Sequence, residues 1–386
     1  MTVSQIYELV NAVTQQTLGS ETLLNEDLSN VVDIGEAIFN NRSFDNYVRN
    51  LVDHIGRVIF VNRPYSGAAP SVLMEGWEYG AVMQKIASDL PEAVENESWD
   101  LIDGTSYDPN IFHKPVVTNK FFSKRTTFEV DQSITEKQVK SAFSSAEQLN
   151  GFVSMIFNEI DKTLTVKTDG LVMRTINNMI AETLANDFAG GNYGSNSTAK
   201  CVNLLHLYNA RFNQDIEPEA AFYTPEFIRF AAYQMGLYQD RLAKISRNFN
   251  MGGMARFTPK DRLHFVTLSD FSTAADIYLQ SDTYHDEYTK ISGSERVPYW
   301  QGSGLEYSWG DITEINVKTA SGKTVEASGI LGCMFDRDAL GVANYDRRIT
   351  TNYNPKAEFT NYFYKQDAMY FNDFNENFVV FYVDKE

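Results

Sequence analysis

Residues 145–188 read SAEQLNGFVSMIFNEIDKTLTVKTDGLVMRTINNMIAETLANDF. Leu149, Phe152, Ile156, Ile160 and Leu164 recur at three-to-four spacing, and Leu171, Ile176, Ile180, Leu184 and Phe188 continue the pattern. Ser145 followed by Gln148 fits a capping box, in which each residue satisfies a backbone donor of the other. The glycine- and serine-rich run FAGGNYGSNS (188–197) is a stop signal. The spacing predicts one long helix over 146–188, with Gly170 as its weakest point.

Working outward, residues 71–132 are extended in character, rich in Val, Thr and aromatics, with prolines that suit exposed strands. SVLMEGWEYGAVMQKIAS and HKPVVTNKFFSKRTTFEVDQSI flank a polar stretch. From Ile86 to His113 there is no Lys or Arg while seven Asp or Glu accumulate, and basic residues resume at Lys114, Lys120, Lys124 and Arg125. This reads as a two-stranded projection with an acidic tip and a basic stem, which is marginal alone and must lie on something. Before it, FDNYVRNLVDHIGRVIF (44–60) carries a helical stripe that Arg63-Pro64-Tyr65 ends. After the long helix, Thr224-Pro225-Glu226 opens a helix to about Phe249. RLHFVTLS (262–269) reads as a buried strand, DFSTAADIYLQ (270–280) as a short helix, and INVKTASGKTVEASGILGCMF as a hairpin turning near Ser321-Gly322. The tail, 357–383, is strand-rich and aromatic. Helices and strands mix without regular alternation, so the class is α+β.

The 386 residues are 43% hydrophobic and 22% charged, ordinary for a folded chain, but 26 Phe, 21 Tyr and 4 Trp are many. Interfaces favour such residues, and so does an aromatic-rich core. The net charge of −18 argues against general affinity for nucleic acid or anionic membrane. No apolar stretch approaches the roughly 18 residues of a membrane span, and the start lacks the pattern of a signal peptide. Two cysteines, Cys201 and Cys333, suit free thiols in a reducing compartment.

Catalytic constellations do not emerge. The glycine loops at 190–195 and 302–304 lack the Lys-Ser/Thr of a phosphate loop and the strand–helix setting of a dinucleotide site. There is no nucleophile elbow, and no cofactor is implied. Asp282, His285, Asp286 and Glu287 form the best metal-like cluster, but a second histidine is missing and a solvated face explains them. In ILGCMFDRDALGV (330–342), Asp336 or Asp338 reads as a cap after a buried strand, with DALG making a single turn that Gly341 ends. Arg337 offsets the local charge or reaches a neighbour.

With these parts in order, the chain resembles bacteriophage major capsid proteins of the Hong Kong 97 fold, in particular those of short-tailed, podovirus-like phages. FDNYVRNLVDHIGRVIF, the run from Asn119 to Ile160, FDRDALGV and the aromatic tail carry the resemblance. It implies an N-terminal arm (1–64), an E-loop (65–132), a P-domain with its spine helix (133–198), an A-domain (199–332), and a return to the P-domain with C-terminal strands (333–386). It implies pentamers and hexamers of an icosahedral head around double-stranded DNA, assembled in the bacterial host cytoplasm and ending in the virion. Expected partners are further copies, a separate scaffolding protein, a portal at one vertex, and decoration or head-fibre proteins, with no membrane. The scaffold is expected to be separate because the arm begins too early to follow a fused segment. The family's type member joins an E-loop Lys to a neighbour's Asn; the tip from Ile86 to His113 has no Lys, so no such cross-link is expected here. The acidic tip (Glu92, Glu95, Glu97, Asp100) would lie on a neighbour with Trp99 as anchor and Arg337, Arg347 and Arg348 as acceptors. An encapsulin-like compartment shell and a soluble hydrolase or transferase with a dispersed site are the alternative readings.

Overall fold

The computed structural model describes residues 3–18, 23–25, 29–39, 47, 50–51, 69–74, 83–88, 95–115, 117–188, 193, 196–280, 294–301, 309–320 and 322–385. The long helix is there, unbroken, from Ala146 to Asp187. Ser145 Oγ accepts the Gln148 N–H at 3.2 Å. The Gln148 side chain, however, accepts from the Ser144 hydroxyl, so the box is only half formed. A complete capping box occurs one helix earlier, where Thr135 and Gln138 satisfy each other at the start of Glu136–Ala142. Gly170 does not interrupt the helix: intrahelical bonds continue through it, and leucine and isoleucine burial resumes at Leu171 and Ile176.

The chain forms two compact units. The first combines residues 1–78, 125–172 and 342–369. Its four-stranded sheet has the order β1-β11-β12-β4, where β1 is Leu73–Met74, β4 Arg125–Thr135, β11 Leu340–Asn354 and β12 Phe359–Asn372. Strand β4 pairs antiparallel with β12 along its whole length, from Arg125 opposite Met369 to Thr135 opposite Phe359. Thus the run expected as one arm of the projection breaks at Ser123-Lys124, and the 132/133 boundary falls inside β4. The core of this unit joins Val153, Ile156, Ile160 and Leu164 of the long helix to Tyr362 and Tyr364 of β12. Val10, Val13, Leu24, Ile34, Tyr47 and Leu51 join it too, so the expected arm contributes to the packed core. Of the helix expected over 44–60, Tyr47, Asn50 and Leu51 are helical and the remainder lies outside the described residues. Gly35 is required: a Cβ there would stand 2.8 Å from Phe143 Cβ.

The second unit combines residues 79–124, 173–341 and 370–386. Its five-stranded sheet has the order β5-β13-β10-β6-β7, with β5 Cys201–Asn203, β6 Leu263–Leu268, β7 Ser294–Val297, β10 Ile330–Asp336 and β13 Phe378–Tyr382. All seven residues of β10 are buried, because it is the central strand between β13 and β6, antiparallel to both. Cys333 sits opposite Val380 and Val266. The boundary expected at 332/333 therefore cuts the middle of this sheet, and the last strand of the chain pairs within it. The hairpin expected over 315–335 is shorter: β8 (Ile315–Lys318) and β9 (Thr324–Ala327) pair, and Gly329, at φ 73°, turns the chain into β10. The helix that starts at Pro225 stops at Leu242, seven residues early, where a Ser246–Arg256 bridge takes over. Both cysteines are free and buried. Among the described residues no helix is long and apolar enough to cross a membrane.

Candidate intersubunit surface

Strands β2 (Met83–Ser88) and β3 (Val117–Phe122) pair antiparallel, Met83 opposite Phe122 and Ser88 opposite Val117, and residues 89–116 join them. This is the projection read from the sequence. Side chains alternate between the two faces of the ribbon. Lys85, Ala87, Thr118, Lys120 and Phe122 are half-buried on one face, whereas Gln84, Ile86, Ser88, Val117, Asn119 and Phe121 are exposed on the other.

Lys85 and Lys120 are directly opposite each other. Like charges in that position destabilise a ribbon. Asp373 resolves the conflict with one oxygen for each amine: Oδ2 lies 2.8 Å from Lys85 Nζ and Oδ1 2.7 Å from Lys120 Nζ. Glu376 adds a 2.9 Å pair to Lys85 and takes Arg256 at 3.3 Å. Phe122 packs on Phe371 with ring centroids 5.1 Å apart. Burial works to raise the Asp373 carboxyl pKa, but the hydrogen bonds from Lys120 and Lys85 outweigh it and hold the group below the usual carboxylate range. Burial alone would lower the Lys85 pKa, and the bonds from Asp373 and Glu376 reverse that and hold it high.

Asp336-Arg337-Asp338 belongs to the same anchor. The Asp336 side chain accepts the Asp338 N–H at 2.9 Å, capping a tight turn between β10 and β11. DALG is thus part of a strand-to-strand turn, with Leu340 and Gly341 already in β11. Arg262 forms an ion pair with Asp338 and lies 3.7 Å from Asp336, and the Asp338 carbonyl accepts from Lys85 Nζ at 3.2 Å. Both aspartates are occupied by chain cations and backbone, an arrangement that holds the hairpin base. Among the described residues no group of three His, Cys, Asp or Glu could hold a metal; the 282–287 cluster lies outside them.

The loop beyond the stem is exposed at 95–96 and throughout 98–115. Asn96 accepts the Ser98 N–H, Asp108 the Asn110 N–H and the Tyr107 hydroxyl the Ile102 N–H, so short-range bonds shape it. Trp99, at the end of a helical turn Glu97–Trp99, is 94% exposed, and Leu101, Ile102, Ile111 and Phe112 are also open. Glu95 and Asp100 are exposed beside Trp99, and Glu92 lies outside the described residues. Of the three arginines, Arg348 is held by Asp346 (2.8 Å) and Asp367 (2.7 Å) of its own chain. Arg347 precedes it in β11, and Arg337 is exposed at the turn. The anchoring residues Lys85, Lys120, Asp373 and Glu376 were not picked out in the sequence. Two lysines placed symmetrically about a loop, needing a shared counter-ion, are the signal that would have found them.

A central-strand sheet, a long helix and an anchored two-stranded projection define a class. The structure is similar to the capsid structure of Staphylococcus phage Andhra over 83% of this chain and 85% of that one, with a TM-score of 0.54 at 9% identity. The fold is that of phage capsid proteins, the Hong Kong 97 type. Residues 10–382 match the Phi29-like phage major capsid proteins, and the chain belongs to that family. The major capsid protein of Bacillus phage GA-1 is 22% identical over 186 residues, 47% of this chain and 38% of that protein, so the chain matches well under half the length of this curated relative. The family is a structural component of the virion shell and not an enzyme family, and its match lends no support to the compartment-shell or hydrolase readings.

Proposed function

We propose that this chain is the repeating subunit of an icosahedral phage head, closing into pentamers and hexamers around double-stranded DNA. A separate scaffolding protein, a portal at one vertex and decoration or head-fibre proteins complete the particle, which is built in the host cytoplasm. One observation carries the reading: a projection anchored to its own body on one face presents an open loop with Trp99 and four other large apolar side chains. Exposed apolar sets of this kind mark contact surfaces. Trp99 is the anchor on a neighbour, and Glu92, Glu95, Glu97 and Asp100 set its register. Arg337, Arg347 and Arg348 are the acceptors; Arg337 stands exposed, while Arg348 is paired internally. Heterologous contacts of this type close into rings. The test is expression with the scaffolding protein, followed by size-exclusion chromatography and electron microscopy. Closed megadalton shells are expected; a compact monomer or dimer under every condition would refute the reading.

A further inference from the structure

The chain carries 33 basic against 51 acidic residues, so a cation with no acid beside it is the exception. Residues 241–262 invert the balance. They hold six basic residues, Arg241, Lys244, Arg247, Arg256, Lys260 and Arg262, and one acid, Asp261. The run leaves the end of the helix Pro225–Leu242 and folds back on itself through an antiparallel bridge. There Ser246 and Arg256 exchange backbone bonds of 2.9 and 3.0 Å. The turn beyond is tied down. The N–H groups of Met251 and Gly252 both donate to the Phe374 carbonyl at 3.0 Å, and the Asn250 side chain bonds both the N–H and the carbonyl of Met254.

Side chains alternate between the two faces of such a pair. Arg256 faces inward and meets Glu376 at 3.3 Å. Ile245 and Phe257, the next opposed residues, face outward and are 59% and 51% exposed. Opposed residues of this kind stand about 4.5 Å apart at Cα, so the two form one apolar step. Arg247, two residues beyond Ile245 and on the same side, is exposed, as are Arg241 and Lys244. Lys260 and Arg262 are matched, by Asp240 at 2.8 Å and by Asp338. Arg241 lies over the Tyr238 ring, 5.0 Å from its centroid. Among the described residues, Arg241, Lys244 and Arg247 have no carboxylate within ion-pair distance, although the chain has acids in excess.

We infer that this surface binds an acidic segment of another protein, which seats one large apolar side chain on Ile245 and Phe257 while its carboxylates meet Arg241, Lys244 and Arg247. The bonds that fix the turn leave little of the acceptor to be ordered on binding. Charge selects the partner and the landing place together, because a chain with a net charge of −18 repels an acidic partner elsewhere. Duplex DNA fits less well. Three cations neutralise too few phosphates to hold it firmly, and a sugar–phosphate ridge leaves Ile245 and Phe257 uncovered. The acidic loop of a neighbouring copy has its own arginines under the proposed function. The inference stands apart from that reading, since binding is measured on the unassembled subunit whether or not shells form.

Fluorescence anisotropy of the full-length subunit provides the test. Four labelled probes are compared: a peptide of glutamates with a central phenylalanine, the same peptide with a central serine, a peptide of residues 93–104 of this chain, and a short DNA duplex. The phenylalanine peptide is expected to bind saturably and the serine peptide about tenfold more weakly, the effect of losing one seated side chain. Lys244→Gln with Arg247→Gln should weaken both glutamate peptides about tenfold, whereas Lys244→Arg with Arg247→Lys should keep the affinity. In Ile245→Ser with Phe257→Ser the two glutamate peptides should bind equally, which a merely electrostatic surface would not produce. Each variant should keep the circular dichroism and melting temperature of the wild type, because the altered side chains are exposed. No saturable binding up to about 1 mM, or affinity unchanged in the charge variant, would overturn the inference. Tighter binding of the duplex would make the patch a nucleic-acid contact instead, and equal or tighter binding of the 93–104 peptide would make it a contact between copies; either result also overturns it.

Discussion

Asp373 is the residue on which the hairpin turns. It is 2% exposed, so its charge is tolerable only because Lys85 and Lys120 bind it. Asp373→Asn would remove the one carboxylate the two facing lysines share, leaving Lys85 with Glu376 and the Asp338 carbonyl and depriving Lys120 of its charged partner. The lysines are partly exposed, so the cost lies between the roughly 1 kcal/mol of a surface pair and the roughly 3–5 kcal/mol of a fully buried one, and hydrogen exchange in 83–88 and 117–122 should accelerate. The long helix should remain as protected as in the wild type; unchanged exchange in the stem would show that the ion cluster is not its anchor. The pH dependence follows from the same groups. The Asp373 carboxyl is depressed in the folded chain, so its stabilisation is present above its unfolded value of about 3.9 and is lost as pH falls through the lower folded value. The Lys85 pKa is raised, so its contribution is present below about 10.4 and is lost as pH rises through the higher folded value. Stem protection, followed by hydrogen exchange corrected for intrinsic rates, should be level between about pH 5 and 10 and should fall below about pH 4. Loss of protection near pH 6.5 would point to a histidine instead. Gly35 makes a second single-residue case, because Gly35→Ala presses a methyl group into Phe143 and should cost about 1–3 kcal/mol by overpacking.

At the scale of elements, some of the fold was legible in the sequence and some was not. Helix periodicity is local, so the 42-residue helix was read to within one residue of its end. The same is true of β6 and the helix after it, Ser269–Gln280. Strand membership is decided by distant partners. Nothing within 119–135 says that β3 pairs with β2 while β4 pairs with β12, although two exposed residues between them allow the break. Strand β11 was missed for a related reason: Asn344, Asp346, Arg347 and Arg348 break its apolar pattern, and the neighbouring strand satisfies two of them, Asn344 accepting from Gln366 at 2.6 Å and Arg348 pairing with Asp367. Of the candidate site, the acidic loop and Trp99 were visible as a composition shift, but its anchor was not, since Lys120 and Asp373 are 253 residues apart. Gly170 gives a test at this scale. An added Cβ meets nothing within 4 Å, so Gly170→Ala should stabilise the isolated subunit by about 0.5–1 kcal/mol, because glycine is the poorer helix former. A rise of about 1 °C in melting temperature by calorimetry would agree, and a fall would mean that the helix needs its freedom at that point.

For the whole molecule, the question is what holds one copy to the next once a shell has formed. A covalent link needs a nucleophile at a contact. Both thiols are buried, and burial pushes each of them far above the ordinary thiol range, so neither is a reactive thiolate. The outer loop from Ile86 to His113 contains no lysine, and the stem amines of Lys85 and Lys120 are held by carboxylates. Lys114 and Lys124 are exposed amines outside that stretch, and the expectation is that contacts rest on apolar burial and exposed charge. Exposed charge is screened over about 8–10 Å at physiological ionic strength, and apolar burial is not. Mature particles boiled in denaturant without reductant should therefore resolve to a single band at 43.8 kDa. A ladder surviving that treatment would show a covalent bond that none of these side chains accounts for. Raising salt to about 1 M shortens the screening length to about 3 Å. It should slow assembly by weakening whatever contacts exposed charge makes, while shells already closed persist on their apolar contacts, which light scattering after a salt jump can follow.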